Sequence, residues 1–282
     1  MIETAEVALL RAWRRERRAE GSRVALVPTM GFLHEGHLTL VDAARRRADA
    51  VVMSIFVNPL QFGPTEDLDR YPRDLARDRA LAEARGVDLL FTPSVGTMYP
   101  PGADTRIVPG EAAARWEGAA RPGHFAGVLT VVGKLFHLVE PDVACFGQKD
   151  IQQATVVQAM VRDLDWRLDV EIVPTVREPD GLALSSRNVY LTEEARADAL
   201  GLSDALRSVQ AAFRGGERSA PALERVARGR LDLYAGVQPE YIAIVEPARL
   251  TPVADAQTGT IVAIAARVGT TRLIDNVILS EG

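Results

Sequence analysis

The sequence predicts an α/β fold: a Rossmann-like, doubly wound parallel sheet followed by a smaller C-terminal α+β domain. Three observations carry this. Short, near-continuous Val/Ile/Leu runs alternate with amphipathic segments through the first 175 or so residues, as strands covered by helices on both faces require. Beyond that stretch the alternation gives way to two helical patterns and three adjacent strand patterns. A chain of 282 residues also has room for two cores rather than one. The expected domains are residues 1–175 and 176–282.

The elements follow in order. The segment "RAWRRERRAE" has a helical pattern whose arginines form a solvated face. "RVALVPT" (23–29) is a strand, "GHLTLVDAARRRA" (36–48) a helix and "DAVVMSIFV" (49–57) the next strand. "DLARDRALAEARG" (74–86) is a helix closed by Gly86, and "VDLLFTP" (87–93) the strand after it. "GVLTVVGKLFHLVE" (127–140) is an apolar-faced helix, followed by the strand "DVACFG" (142–147), the helix "KDIQQATVVQAMVRDL" (149–164) and the strand "DVEIVPTV" (169–176). Repeated βα units of this kind close with right-handed crossovers. The second domain is expected to place helices at 192–213 and 219–235 against strands in "EYIAIVEP", "TIVAIAARVG" and "TRLIDNVIL". Turns such as "ADAQTGT" make that sheet antiparallel.

Composition narrows the function classes. A net charge of −5 argues against a nucleic-acid platform built on a basic surface. Apolar runs fall short of the roughly 20 residues of a membrane span, and the N-terminus lacks the apolar core of a signal peptide. The lone Cys145 permits no internal disulfide, which fits a reducing cytoplasm. Among 33 Lys and Arg residues only Lys134 and Lys149 are lysine. Against that arginine background, a lysine marks a place where a compact ammonium is wanted.

Ligands of a doubly wound sheet gather at the carboxyl ends of its strands. The loop "PTMGFLHEGH" leaves the first such strand and enters a helix, and it holds two of the four histidines, His34 and His37. Helix-start amides attract phosphate, glycines such as Gly31 and Gly36 allow close approach, and imidazoles add donors. The plainer alternative makes one histidine a cap and the other a surface residue. A zinc site fails on ligand count, since the single cysteine cannot complete a set. "FGQKD" repeats the strand-end geometry, and Lys149 and Gln153, four apart, are expected on one helix face. "LALSSRN" adds Ser185, Ser186 and Arg187 as donors.

"HEGH" resembles the HxGH signature of nucleotidylyltransferases and class I aminoacyl-tRNA synthetases. The wider set, "PTMGFLHEGHLTLV", "SIFVNPLQFGPTEDLDRYPRDLARD", "RPGHFAGVLTVV", "FGQKDIQQ" and "DGLALSSRN", resembles the pantothenate synthetase (pantoate–β-alanine ligase) family in order and spacing. The resemblance is strong through residue 190 and thinner beyond. Gln148 departs from it, standing where glutamate is more usual. The resemblance implies ATP-dependent condensation of (R)-pantoate with β-alanine through a pantoyl-adenylate, releasing AMP and pyrophosphate. It implies ATP contacts at Met30, Gly31, Phe32, Leu33, His34, Glu35, Gly36 and His37, at Gly147, Gln148, Lys149 and Asp150, and at Val176, Leu184, Ser185, Ser186 and Arg187. His34, His37, Lys149 and Arg187 would be the catalytic set. Gln61 and Gln153 would contact pantoate, Gln61 also β-alanine, with Asn58 and Tyr71 lining the pocket. Domain 1–175 would bind ATP and pantoate, and domain 176–282 would act as a lid. Magnesium would travel mainly on the ATP phosphates, with no direct metal ligand assigned, and the enzyme would be a cytoplasmic homodimer without nucleic-acid or membrane partners. The alternatives are another HxGH nucleotidylyltransferase, or a silent nucleotide-binding module.

The residues suit that chemistry independently. A carboxylate attacking the α-phosphorus is already ionised and needs no base, but each pair of like unit charges 4 Å apart contributes about 4 kcal/mol of repulsion at an effective dielectric of 20. Such a reaction calls for positive charge and donors, which these loops supply.

Overall fold

The computed structural model describes residues 1–64 and 66–281. Two compact units emerge, one of Met1–Gly147 with Val156–Pro174, the other of Gln148–Thr155 with Thr175–Gly282.

The first unit is built on six strands: β1 (Ile2–Thr4), β2 (Val24–Thr29), β3 (Ala50–Ile55), β4 (Leu89–Phe91), β5 (Val143–Gly147) and β6 (Asp169–Val173). Their spatial order is β1-β4-β3-β2-β5-β6, and every adjacent pair is parallel. The helices along this stretch are α1 (Val7–Ala19), α2 (Glu35–Arg47), α3 (Leu75–Ala84), the single turns α4 (Val95–Met98) and α5 (Glu117–Ala120), α6 (His124–Val139) and α7 (Ile151–Asp163). The doubly wound expectation therefore holds. From β2 the chain winds through β3 and β4 to one side, while β5 and β6 lie on the other. The order reverses between β2 and β5, and the crevice beyond their carboxyl ends is where such a sheet receives a ligand.

Central strands β2, β3 and β5 are buried through most of their length, as their unbroken apolar runs predict. Cys145 lies fully buried in β5, and burial pushes its thiol up to about 12, which removes it from thiolate chemistry. The expected strands 49–57 and 87–93 are shorter than predicted. Strand β6 stops at Val173 because Pro174 has no N–H to give a ladder. The edge strand β1 escapes sequence patterning, since three residues are too few to show a period.

Helix α6 is apolar nearly all round and buries twelve of its sixteen residues. It begins three residues earlier than its pattern predicts, from Gly123 in a left-handed conformation (φ 84°). Arg14, buried on α1, caps the far end by donating to the carbonyls of Val139 and Glu140. Near its start, Gly127 lets a turn of 3-10 helix at Pro59–Gln61 lie directly on the helix: a Cβ there would fall 2.1 Å from the Leu60 carbonyl oxygen.

In the second unit, α8 (Glu193–Arg214) and α9 (Ala220–Leu231) pack on an antiparallel sheet, β7 (Val237–Val245), β8 (Ile261–Val268) and β9 (Thr271–Ile278). Its core includes Leu202, Leu206, Phe213, Leu223, Val262 and Ile264. Strand β7 starts earlier than the predicted residue 240, because an irregularity between Pro239 and Tyr241 accommodates the proline that sequence patterning treats as a break.

Gly127 gives the fold's first test. Gly127→Ala forces a methyl group against main chain rather than a movable side chain, so a loss of about 3 kcal/mol is expected, at the upper end for overpacking. Urea unfolding of the variant and wild type measures it.

Candidate active site

The turn after β2 is shaped by two successive residues at positive φ, Gly31 (83°) and Phe32 (50°). Thr29 Oγ accepts from the Gly31 N–H at 3.2 Å, and both oxygens of Asp78 accept from the next two amides, of Phe32 and Leu33, at 2.7 Å each. Gly31 is required by its protein neighbours. A Cβ there would lie 2.9 Å from Asp78 Oδ2 and 2.9 Å from Ile55 Cγ2. On the side where a Cβ would project, the space is filled by these two protein neighbours.

His34 is the N-cap of α2, with extended backbone (φ −138°, ψ 174°), and His37 sits on the first turn. The His34 N–H donates to His37 Nδ1 at 3.3 Å. An imidazole nitrogen that accepts carries no proton, so the neutral His37 ring holds its proton on Nε2 and offers that N–H as a donor. The two rings are 4.1 Å apart between centroids. Capping and donation are thus compatible roles. The first helical amides, those of Glu35 and Gly36, are the orphan donors that any α-helix start presents.

Gln61, nearly buried, is held from two sides. Asn58 Nδ2 donates to Gln61 Oε1 at 3.1 Å and to the Gly127 carbonyl at 3.1 Å. The Asn58 Oδ1 in turn accepts from Tyr99 Oη at 2.9 Å and from the Leu60 N–H. Burial pushes the Tyr99 phenol up to about 12, so it stays a donor. Gln61 Nε2 reaches Met30 Sδ at 3.1 Å, a weak acceptor that a better one can displace. Tyr71 is buried nearby in the chain, its ring 5.9 Å from that of Phe62.

The Gln61 backbone is gripped as well. Its carbonyl lies 2.8 Å from His124 Nδ1 and accepts from Arg121 at 3.3 Å. Arg121 also forks onto Glu66, at 2.8 and 2.6 Å. Burial would raise the Glu66 carboxyl, but the Arg121 hydrogen bond and charge outweigh it and hold it below the usual range. Burial, then the Arg121 charge, lowers His124 to about 4. Neutral His124 donates from Nδ1 and accepts Arg121 at Nε2, 3.1 Å away.

In the second unit, a 3-10 turn at Gln148–Asp150 precedes α7. Lys149 lies on that turn, which runs without a break into the first turn of α7, where Gln153 sits. Asn276 of β9 anchors the turn, donating to the carbonyls of Gln148 and Lys149 at 2.9 and 3.0 Å. Its Oδ1 accepts from Gln148 Nε2 at 3.1 Å, a donor that glutamate could not supply, and this gives Gln148 its physical reason. Val176 and Leu184 face each other across a hairpin, the Leu184 N–H donating to the Val176 carbonyl. Ser185 Oγ caps the 3-10 turn Ser186–Tyr190 by accepting from the Arg187 N–H. This brings together Val176 and the 184–187 run, distant in sequence. Alongside, Arg177 forks onto Asp275 of β9 at 2.6 and 2.9 Å.

The chain matches the pantoate-beta-alanine ligase family over residues 3–278. It belongs to that family. A pantothenate synthetase of Anaeromyxobacter dehalogenans is 54% identical, covering 92% of both chains. The crystal structure of pantothenate synthetase from Thermus thermophilus is similar at a TM-score of 0.93 and 51% identity, covering 99% of each chain. A pantoate-beta-alanine ligase from Francisella tularensis, solved in complex with beta-gamma ATP and beta-alanine, superposes at a TM-score of 0.81 with 33% identity over 99% and 97% of the two chains.

Within this ligase family member, sequence reasoning missed Asp78, Asn276 and the Arg121–His124–Glu66 brace. The "RPGHFAG" string flagged the last without giving its purpose. Asp78 and Asn276 read in sequence as an ordinary helix aspartate and strand asparagine, and only their burial, 1% and 2% exposed, sets them apart.

His124 makes stability pH-dependent. Its folded pKa of about 4 lies below the unfolded 6.5, so between these values the unfolded chain binds more protons and stability rises with pH. On lowering the pH from 6.5 to 4, a loss of up to about 3 kcal/mol is expected from this group, and none further below 4. Urea titrations across pH 4–7 should show a flatter stability profile for His124→Gln than for wild type.

Proposed function

We propose that this enzyme condenses pantoate with β-alanine in two steps, forming a pantoyl-adenylate with release of pyrophosphate and then transferring the pantoyl group to the β-alanine amine with release of AMP. The observation that carries the residue roles is the locked His37 ring, whose Nε2–H is fixed as its donor by the bond that Nδ1 accepts from the His34 amide. In this reading Met30 through His37 bind ATP, with His34, His37 and the Glu35 and Gly36 amides on its phosphates. Gly147, Gln148, Lys149, Asp150, Val176, Leu184, Ser185, Ser186 and Arg187 complete the ATP set, and Lys149 and Arg187 bring positive charge to the departing pyrophosphate. Residues 1–175 would bind ATP and pantoate, and residues 176–282 would act as a lid.

Gln61 and Gln153 take pantoate, and Gln61 also takes β-alanine. With Oε1 already accepting from Asn58, the group that Gln61 offers most readily is its NH2, which suits a hydroxyl or carboxylate oxygen. The attacking carboxylate needs no base. The task of the site is to supply preorganised donors against the repulsion of two anions, and loss of one such donor typically costs about 3–4 kcal/mol in the barrier. The amine of β-alanine must lose a proton before attack, and a phosphate oxygen of the adenylate is a suitable acceptor.

Among the described residues, no group of three or more His, Cys, Asp or Glu side chains could hold a metal ion. Magnesium enters this reading as the companion of the ATP phosphates, a role that needs no all-protein cage. A homodimer belongs to the reading through the family resemblance alone. A cytoplasmic setting is supported by the single, buried cysteine. Among the described residues no helix is long and apolar enough to cross a membrane.

The test is isotope exchange. Pantoate alone should support incorporation of labelled pyrophosphate into ATP, and β-alanine should be needed only for AMP release. Exchange that demands β-alanine from an otherwise active enzyme would refute the two-step order, and exchange with a different acid would point to another adenylating enzyme.

Lys149 supplies a second test. If a compact ammonium must meet phosphate beside the Gln148–Asn276 pair, the broader guanidinium will not seat there. Lys149→Arg should melt like wild type yet lose at least about tenfold in exchange rate, an added barrier near 1.4 kcal/mol. Lys149→Ala should lose more. Wild-type rates in the arginine variant would make this lysine an accident of composition.

A further inference from the structure

All four backbone amides that follow Met30 are engaged inside the protein. Those of Gly31 and His34 go to Thr29 Oγ and His37 Nδ1, and those of Phe32 and Leu33 go to Asp78. A carboxylate gripped by two consecutive amides at a strand end is the arrangement with which such a turn would otherwise hold a phosphate oxygen. Here the place is taken by a side chain of α3, and the donors left for a ligand start only with Glu35 and Gly36.

Helix α3 holds the turn twice. Asp78 takes its amides from below, and the Arg77 guanidinium stands 5.4 Å over the ring of Phe32. The grip is needed because Phe32 is a bulky residue in the left-handed region (φ 50°), a conformation it does not keep unaided. Asp78 is buried to 1% exposure and has both oxygens engaged. It therefore does not serve as a base. Its effect passes through the turn to His34, which caps α2, and from the His34 amide to the ring of His37.

We propose that Asp78 is a positioning residue for adenylation: by clamping the Phe32 and Leu33 amides it sets the register in which His34 and His37 present their donors. This rests on the reading of the two histidines as phosphate donors given above. A carboxylate that served stability alone would lower the melting temperature and leave the chemical step and the His37 ring untouched.

Asp78→Asn keeps the volume but has one acceptor oxygen for two amides, with an NH2 facing the other. Asp78→Glu keeps the charge while displacing the carboxylate by one methylene, and it decides the matter if the asparagine variant does not fold. Three quantities are to be measured on the full chain: the melting temperature, kcat and ATP KM of pantoate-dependent exchange well below it, and the imidazole 15N spectrum without ligands. A folded variant should lose at least about tenfold in kcat, equivalent to 1.4 kcal/mol, and the His37 nitrogens should shift toward a mixture of tautomers. A folded variant with kcat within twofold of wild type, or with unchanged His37 nitrogens, would overturn the proposal even if its melting temperature fell. Absence of exchange in the wild type would instead refute the functional reading, leaving the 15N spectrum to test the clamp.

Discussion

A chain leaving the end of a buried parallel strand carries backbone N–H groups that it can no longer give to the sheet. Each must find an acceptor within the protein, or wait for a ligand, because burial without a partner is costly. Around β2 this constraint decides the layout. Thr29, Asp78 and His37 take the amides of residues 31–34, and what they leave over is the set of donors available to an anion. Position and chemistry thus come from the same hydrogen-bond inventory. The positive φ of Gly31 and Phe32 belongs to the same arrangement, a curl in which two consecutive amides meet one carboxylate.

The same logic recurs elsewhere in each unit. In the first, the turn bearing Gln61 is fixed by its side chain through Asn58 and by its carbonyl through His124 and Arg121. Every partner there has a settled role: Tyr99 stays protonated, His124 neutral and Glu66 charged, each for a reason of burial or of a neighbouring charge. A glutamine so constrained presents a donor in one direction, unlike a solvated one, which offers either group in any. In the second unit Asn276 does for the Lys149 turn what Asp78 does for the histidine turn. A buried amide reaching from another element satisfies two carbonyls and leaves the charged side chain as the variable part.

These supports explain what sequence could and could not reveal. The doubly wound sheet was legible because its strands are unbroken apolar runs bounded by glycine and proline, and because HxGH falls at a strand end. Elements failed where length or a proline removed the period: β1 has three residues, and β7 begins before Pro239. Ligand-facing candidates such as His34, His37, Gln61 and Lys149 stood out by rarity or motif. Their supports did not. Asp78 sits in "LARDRALAEA" among charges that are mostly solvated, and nothing in its spacing says that it is the one turned inward. Forty-five residues separate it from Leu33, so the pairing is a product of the β2–β3–β4 winding alone. Long-range partners of this kind are invisible to periodicity, which reports faces and not what meets them.

The scarcity of lysine can be re-read in the same terms. Among the described residues arginine forks recur in the ion pairs, as in Arg85 with Glu35 and Asp42, Arg121 with Glu66, Arg177 with Asp275, and Arg196 with Glu178 and Asp180. Planar, bidentate pairing is what guanidinium does better than ammonium. Lys134 has a different task. Its ammonium donates to the Met98 carbonyl and stands 5.9 Å from the centroid of the Tyr99 ring. One oxygen and one ring face leave no second acceptor for a fork, so a compact charge fits where a guanidinium would leave donors unpaired. Lysine thus persists at one of its two positions for a reason of shape, next to the tyrosine that ends the Asn58–Gln61 chain. The other lysine lies on a turn whose backbone is pinned by Asn276, which fixes the main chain and leaves the ammonium as its variable part.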